Sequence, residues 1–314
     1  LGGMGMSFMY GAADDAESLA TLAAALDAGV TMIDTADFYG SGHNEALIGR
    51  ALRGRRDDVV LSVKFGALRD PAGSWTGVDT RPAAIRNFLA YSLRRLGVDH
   101  VDIYRPARVD PTVPIEDVAG TIGDLVKAGY VRHLGLSEVG ADTVRRAHAV
   151  HPVADVQIEY SLVSRAPERT LLPTLAELSI GMTAYGVLSR GLLAGSGPTG
   201  PRDFRAYLPR FTGANWECNQ RLVATLRALA DARGVTPAQL AIAWVLACDE
   251  RIVPVVGART RGQLAEALGA LSVELSADDR SRLEDALPAG QVAGTRYDAR
   301  QMAALDSERS PSPG

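Results

Sequence analysis

Asp34, Tyr39 and Lys64 are the residue types from which a proton-donating unit is made, and they stand where a fold would bring them together. They lie in the runs Asp34-Thr35-Ala36-Asp37-Phe38-Tyr39-Gly40 and Ser62-Val63-Lys64-Phe65-Gly66, each reached through an apolar stretch that reads as a strand. A phenol with its ordinary pKa of about 10 is a poor acid at neutral pH. A neighbouring ammonium lowers that pKa, and an aspartate can hold the ammonium in place. Of 33 basic residues only Lys64 and Lys127 are lysine, so position 64 calls for a compact point charge rather than a planar fork. The alternatives are a surface lysine at 64 and a loop or helix-cap carboxylate at 34.

The elements that would position these residues alternate along the chain. Residues 14–29 place Leu19, Leu22, Ala23 and Leu26 on one helical face, and the apolar stretch 30–33 follows. Further helices are expected over 43–53, 81–96, 115–128, 141–150 and 167–178. Strands are expected over 30–33, 59–63, 101–104, 131–136, 154–158, 182–185 and 252–256, and a truncated strand at Leu1 brings the count to eight. Such alternation implies a parallel sheet covered by helices, either doubly wound or closed into a barrel. Gly3-Met4-Gly5-Met6-Ser7-Phe8 lacks the third glycine of a dinucleotide fingerprint, and Gly11-Ala12-Ala13 intervenes before the helix. The expectation is therefore α/β, a single (β/α)8 TIM barrel over 1–290, with chemistry at the carboxyl ends of its strands. The start at Leu1 reads as truncated, and 291–314 reads as a mobile C-terminal tail. Two long loops, 66–80 with Trp75 and 196–215 with Phe204, Tyr207 and Phe211, read as substrate covers or as surface excursions.

Composition removes several function classes. Apolar residues make up 46% and charged residues 22%, with no apolar run near the ~18 residues that span a bilayer, so no membrane role is expected. A net charge of -4 leaves no basic stripe for nucleic acid. Cys218 and Cys248 form neither a disulfide framework nor a metal-ligand spacing, which points to a reducing, cytoplasmic compartment. His43, His100, His133, His148 and His151 are scattered, so no metal site is expected and a metal-dependent hydrolase is set aside.

Over essentially its whole length the chain resembles the aldo-keto reductase family, in particular its bacterial pyridoxal-reductase-like branch. The matching runs are Asp34 to Gly40, Leu93-Arg94-Arg95-Leu96-Gly97, Arg108-Val109-Asp110-Pro111 with Val113-Pro114-Ile115-Glu116, Gly135-Leu136-Ser137-Glu138, Gln157-Ile158-Glu159-Tyr160 and Val255-Val256-Gly257-Ala258-Arg259. The resemblance implies an NADPH-dependent oxidoreductase acting on a small-molecule carbonyl, conjugated alkene or imine. Tyr39 would be the general acid, Lys64 would depress its pKa, and Asp34 would pair with Lys64. The family's fourth catalytic residue, a histidine, falls on Ala107 in Asp102-Ile103-Tyr104-Arg105-Pro106-Ala107. Arg105 shares a strand face with Ala107, which leaves two roles open for it: a substitute donor, or a buried ion pair with a barrel carboxylate. Arg108 reads as structural.

For the cofactor, the resemblance implies that Ser137 and Gln157 hold the carboxamide and that Tyr185 stacks on the nicotinamide. Gly186, Leu188 and Arg190 belong to a run resembling the pyrophosphate loop, and Gly3 and Met4 join the cofactor-facing set. Gly257 and Arg259 open a helix whose backbone N–H groups and arginines, Arg261 included, suit a 2′-phosphate. Gln263 and Glu266 match the family's adenosine-binding positions. Glu138 stands where many relatives have asparagine. A second functional class, a nucleotide-binding regulatory subunit with weak or no catalysis, is distinguished from an enzyme by turnover. Oligomeric state is not legible.

Overall fold

In a computed structural model, which describes residues 1–7, 10–200 and 203–309, strands and helices alternate as the sequence leads one to expect. The first is helix α1 (Asp15–Asp27), capped by the Asp14 carboxylate, which accepts from the Glu17 N–H. It feeds strand β1 (Met32–Ala36), followed by α2 (His43–Ala51) and β2 (Val60–Phe65). A short hairpin, β3 (Ala67–Arg69) and β4 (Trp75–Val78), leads to α3 (Pro82–Leu96) and β5 (Val101–Pro106). Then come α4 (Ile115–Lys127), β6 (Val131–Ser137), α5 (Ala141–Val150), β7 (Val153–Glu159), α6 (Leu171–Glu177) and β8 (Gly181–Tyr185). The remainder is α7 (Gly213–Asp231), α8 (Pro237–Cys248), β9 (Ile252–Pro254), α9 (Arg261–Gly269), α10 (Ala277–Ala286) and α11 (Ala299–Ala303).

Seven of the strands form one parallel sheet in the order β1-β2-β5-β6-β7-β8-β9. Gly2 makes parallel bridges to Asp34 beside one edge strand and to Gly257 beyond the other. The Gly2 N–H donates to Val256 O at 2.9 Å and the Gly3 N–H to Asp34 O at 2.8 Å, so the sheet curls until its edges meet the first residues. The expected strand at Leu1 is thus a bridge rather than a full strand.

Period-two alternation divides each strand between two environments. On β2, Leu61, Val63 and Phe65 face the helical layer, and Phe65 stacks on Tyr104 at 4.2 Å. Ser62 and Lys64, between them, join Asp34 of β1, Arg105 of β5 and Gln157 of β7. Burying so many polar groups is tolerated because they satisfy one another.

Two expectations change. The segment 66–80 is not an open loop but carries the hairpin, with Trp75 edge-on to Phe38 at 6.4 Å. The expectation of a mobile tail does not hold for residues 291–309. Arg296 is buried, α11 is capped by Asp298, and beyond the end of β6 Glu138 accepts from Ser307 Oγ while the Gly140 N–H donates to Asp306 Oδ2. Residues 310–314, which include Ser310-Pro311-Ser312-Pro313-Gly314, lie outside the described residues. Among the described residues no helix is long and apolar enough to cross a membrane, and no cluster of metal-ligating side chains occurs.

Candidate active site

Asp34 and Lys64 meet because β1 and β2 pair in register, with Asp34 beside Ser62 and Ala36 beside Lys64. The Lys64 ammonium donates to Asp34 Oδ1, and both side chains are nearly inaccessible. Asp34 Oδ2 accepts from Ser62 Oγ and from Gln157 Nε2, each at 2.8 Å. Burial pushes the Asp34 carboxyl up, but Lys64, Arg105 and these bonds outweigh it and hold it below the usual carboxylate range. Burial lowers the Lys64 pKa against the pull of Asp34.

Tyr39 begins a tight turn in which Gly40, Ser41 and Gly42 all have positive φ, and its ring lies 5.2 Å from the Lys64 ammonium. Burial, then the charge of Asp34, raises the phenol well above its ordinary pKa, and Arg108 opposes this. The expected depression by Lys64 is therefore not realised: burial and Asp34 prevail, and Tyr39 is held protonated. Phe38 meets its ring edge-on at 5.0 Å, and Trp75 packs on Phe38.

Arg105 occupies one of the two positions left open for it. Its guanidinium is fully buried, with Nη1 at 2.5 Å from Asp155 Oδ2 and Nη2 donating to Ser62 Oγ at 3.0 Å. Thr183 completes this layer by donating to Asp155 Oδ1. The pair sits beneath Asp34 and Lys64 inside the sheet rather than reaching around Ala107. The guanidinium beside Ala107 is instead that of Arg108, which the sequence led us to read as structural. Its Nη1 donates to Ala107 O at 2.6 Å and its Nη2 to the Tyr297 hydroxyl at 3.3 Å.

The cofactor-facing set falls into three groups. Ser137, Gln157 and Tyr185 lie at the ends of adjacent strands β6, β7 and β8. Gln157 turns its amide onto Asp34, and the Tyr185 hydroxyl donates to Glu138 Oε1 at 2.8 Å. The second group is the turn after β8. Gly186 has φ +66°, and a Cβ there would come to 3.0 Å from Glu159 Cγ, so a side chain at this position would have to displace Glu159. Leu188 begins the tight turn that follows, and Ser189 and Arg190 are both left-handed although neither is glycine. Such strain points to a functional segment. Arg190 bonds Glu159 through Nη2, while its buried Nη1 has no partner.

The third group surrounds α9. Gly257 touches Gly2, and Gly3 packs so closely on Asn44 that a Cβ would approach its Oδ1 at 2.5 Å. Met4 opens a short 3-10 turn beside them. Arg259 donates to the carbonyls of Tyr10 and Ala12, and its backbone N–H to Gln263 Oε1. Arg261 forms a two-pronged pair with Glu17, and Glu266 is exposed. Arg259 thus ties the approach to α9 to the first loop of the chain and Arg261 ties the start of α9 to α1.

The C-terminal segment supplies residues that the sequence did not single out. Arg296 bonds both oxygens of Glu138 and also Glu308. Burial raises the Glu138 pKa, but Arg296, Arg108 and Ser307 overcome this and hold the carboxyl far below its usual range. Tyr297 lies against the guanidinia of Arg190, at 4.6 Å, and of Arg108 and Arg296, both at 5.8 Å, with its hydroxyl 3.1 Å from that of Tyr185. Burial raises its pKa, yet Arg190 and Arg108 bring it below the ordinary phenol value. The signal available was an arginine–tyrosine pair following Gly294 in an otherwise polar tail. Behind Arg296 lies a cavity of about 490 Å³, bordered by Glu159, Arg165 and Arg210, which neither Tyr39 nor Lys64 lines.

A buried ammonium–carboxylate pair beneath a phenol, at the carboxyl ends of a curled parallel sheet, defines the class as a barrel-like oxidoreductase. The sequence profile described as the Aldo/keto reductase family matches residues 1–288, and the chain belongs to that family. A protein of Glycine max named "Probable aldo-keto reductase 1" is 38% identical over 305 residues, covering 94% of this chain and 87% of that protein. The structure resembles glycerol dehydrogenase from Gluconobacter oxydans, with a TM-score of 0.83, 27% identity, and 100% of this chain and 94% of that one covered. It also resembles an aldo-keto reductase from Klebsiella pneumoniae solved with NADPH, with a TM-score of 0.74, 29% identity, and coverage of 95% and 93%.

Proposed function

We propose that this protein is an NADPH-dependent reductase in which Tyr39 delivers a proton to a small organic substrate as its carbonyl, conjugated alkene or imine is reduced. The observation that carries the reading is the Lys64–Asp34 pair buried beneath the Tyr39 phenol. The curled sheet, with Gly2 bridged to both of its sides, is read as a closed (β/α)8 barrel, and the chain is placed in the pyridoxal-reductase-like branch. The unpaired cysteines accord with a reducing cytoplasm.

The residues present fit a dinucleotide. Arg190 Nη1 is a buried donor without a partner, in a turn strained at two residues, and suits a pyrophosphate oxygen. The amino end of α9, with Arg259, Arg261 and Gln263 around it, suits the adenosine end and its 2′-phosphate. Ser137 and Gln157 would hold the carboxamide, and Tyr185 would support the ring, its hydroxyl fixed by Glu138. When bound, this group supplies a hydride. Tyr39, kept protonated by burial, gives up its proton as negative charge develops on the substrate; Arg108, which already pulls its pKa down, and the Lys64 ammonium, 5.2 Å from its ring, would stabilise the phenolate left behind. Asp34 keeps Lys64 in place, while Arg105, paired with Asp155, holds the layer beneath.

The test is titration with NADPH and NADH by nicotinamide fluorescence, then a panel of carbonyls, enones and imines in the same cuvette. Selective NADPH binding with turnover is expected. Binding without turnover would favour the regulatory reading, and no binding would overturn the assignment.

A further inference from the structure

Of the arginines at 105, 108, 190, 210 and 296, in and beneath the site, four form ion pairs with carboxylates, two of them sharing one. Arg105 pairs with Asp155, Arg190 and Arg210 with Glu159, and Arg296 with Glu138. Arg108 is the exception: among the described residues no carboxylate forms an ion pair with it. Glu138, the carboxylate whose charge it feels, is already held on both oxygens by Arg296. The neighbours of Arg108 are one carbonyl, one hydroxyl and the face of Tyr297. It is partly accessible, and it lies near enough to Tyr39 and Lys64 to perturb both.

From this arrangement, and resting on the reductase reading above, we infer that Arg108 anchors an anionic group of the substrate, so that the preferred substrate is a carbonyl compound bearing a carboxylate. A guanidinium offers five N–H donors, and the two contacts to Ala107 and Tyr297 leave enough to grip a carboxylate in two-pronged fashion. Those two contacts also fix the plane of the fork, so little order is lost when an anion arrives. The oxygens of Tyr297 and Tyr185 and the more distant Glu138 favour the charge of Arg108, but none of them forms an ion pair with it, so a carboxylate arriving at the free edge of the fork has no paired anion to displace. The cofactor's phosphates are the competing source of anionic oxygens. They are assigned to the turn at Arg190 and to the start of α9, whereas Arg108 follows β5, beside Tyr39.

The experiment compares the wild-type protein with Arg108→Gln and Arg108→Lys, using NADPH with 4-carboxybenzaldehyde and with 4-methylbenzaldehyde. Calorimetric titration of benzoate into the protein accompanies the kinetics. Charge-assisted hydrogen bonds are strong enough that the wild type should favour the carboxylated aldehyde in kcat/KM by about tenfold or more. Arg108→Gln should bring that ratio near unity and weaken benzoate to a similar extent, and Arg108→Lys should recover part of both. The inference is overturned if the wild type does not discriminate, if Arg108→Gln slows both aldehydes equally, or if its main effect is on NADPH affinity. Should the wild type turn over neither aldehyde, the full panel of carbonyls, enones and imines separately decides the reductase reading, and benzoate binding by wild type against Arg108→Gln still decides the role of Arg108.

Discussion

Replacing Arg105 by Met tests whether this arginine is a structural counter-ion or a catalytic donor. In the wild type its guanidinium is fully buried and meets Asp155 at 2.5 Å. Removing it strands the Asp155 carboxylate inside the sheet, with Thr183 as its remaining hydrogen-bond donor. Breaking a buried pair from one side costs about 3–5 kcal/mol, whereas removing both charges is often nearly neutral. At about 2 °C per kcal/mol for a chain of this length, Arg105→Met should lower Tm by about 6–10 °C. Arg105→Met combined with Asp155→Asn should recover more than half of that loss, because the amide can still accept from Thr183. Burial already raises the Asp155 pKa, against the pull of Arg105. In the single variant the carboxyl should rise further, so its stability is lost as pH rises and the deficit is smaller at pH 5 than at pH 8. Circular-dichroism melts of the wild type, both single variants and the double variant complete the cycle. Equal destabilisation by Arg105→Met alone and in combination would refute the argument, as would an unchanged Tm accompanied by a collapse in kcat.

Tyr39→Phe should lower kcat by about 100-fold or more, the scale of lost general-acid catalysis, while NADPH affinity by fluorescence stays within about twofold; full activity would remove Tyr39 from the role. Burial, then Glu45, raises the Asp37 carboxyl to about 7, and its Oδ1 has no partner. A group raised on folding stabilises the fold fully below its unfolded pKa and loses that contribution as pH climbs to the folded value. Asp37→Asn should therefore gain stability that grows between about pH 4 and 7 and then levels off, with a ceiling of about 4 kcal/mol. A gain equal at pH 4 and pH 8 in urea titrations would contradict this. Arg296→Met should cost about 3–5 kcal/mol by stranding Glu138, and should open 291–309 to limited proteolysis while the rest of the chain resists. Protection as complete as in the wild type would show that the segment does not depend on this clip.

The alternation of strand and helix was legible because hydrophobic period is a local property. The expected strands over 101–104, 131–136 and 154–158 lie within β5, β6 and β7, and α5 has the expected bounds. The helices α7, α8 and α10 were not drawn from the sequence, and α8 shows why. Almost every residue from Ala238 to Val245 is buried, so it has no polar face to reveal its period. The convergence of Tyr39, Lys64 and Asp34 was legible too, because strand ends converge in any parallel sheet of this kind.

The partners of buried arginines were not legible. Strand period says that Arg105 faces inward, but not that Asp155, fifty residues later and two strands away, turns to meet it. Nor does it say that Arg108 folds back onto Ala107 O while Arg296 returns from the far end of the chain to claim Glu138. Desolvation makes each such pairing a choice among whatever charges the closed sheet brings within reach. The sequence by itself therefore determined the class of fold and the meeting of Asp34, Tyr39 and Lys64, and only the tertiary structure decided which arginines form ion pairs and that Arg108 forms none among the described residues.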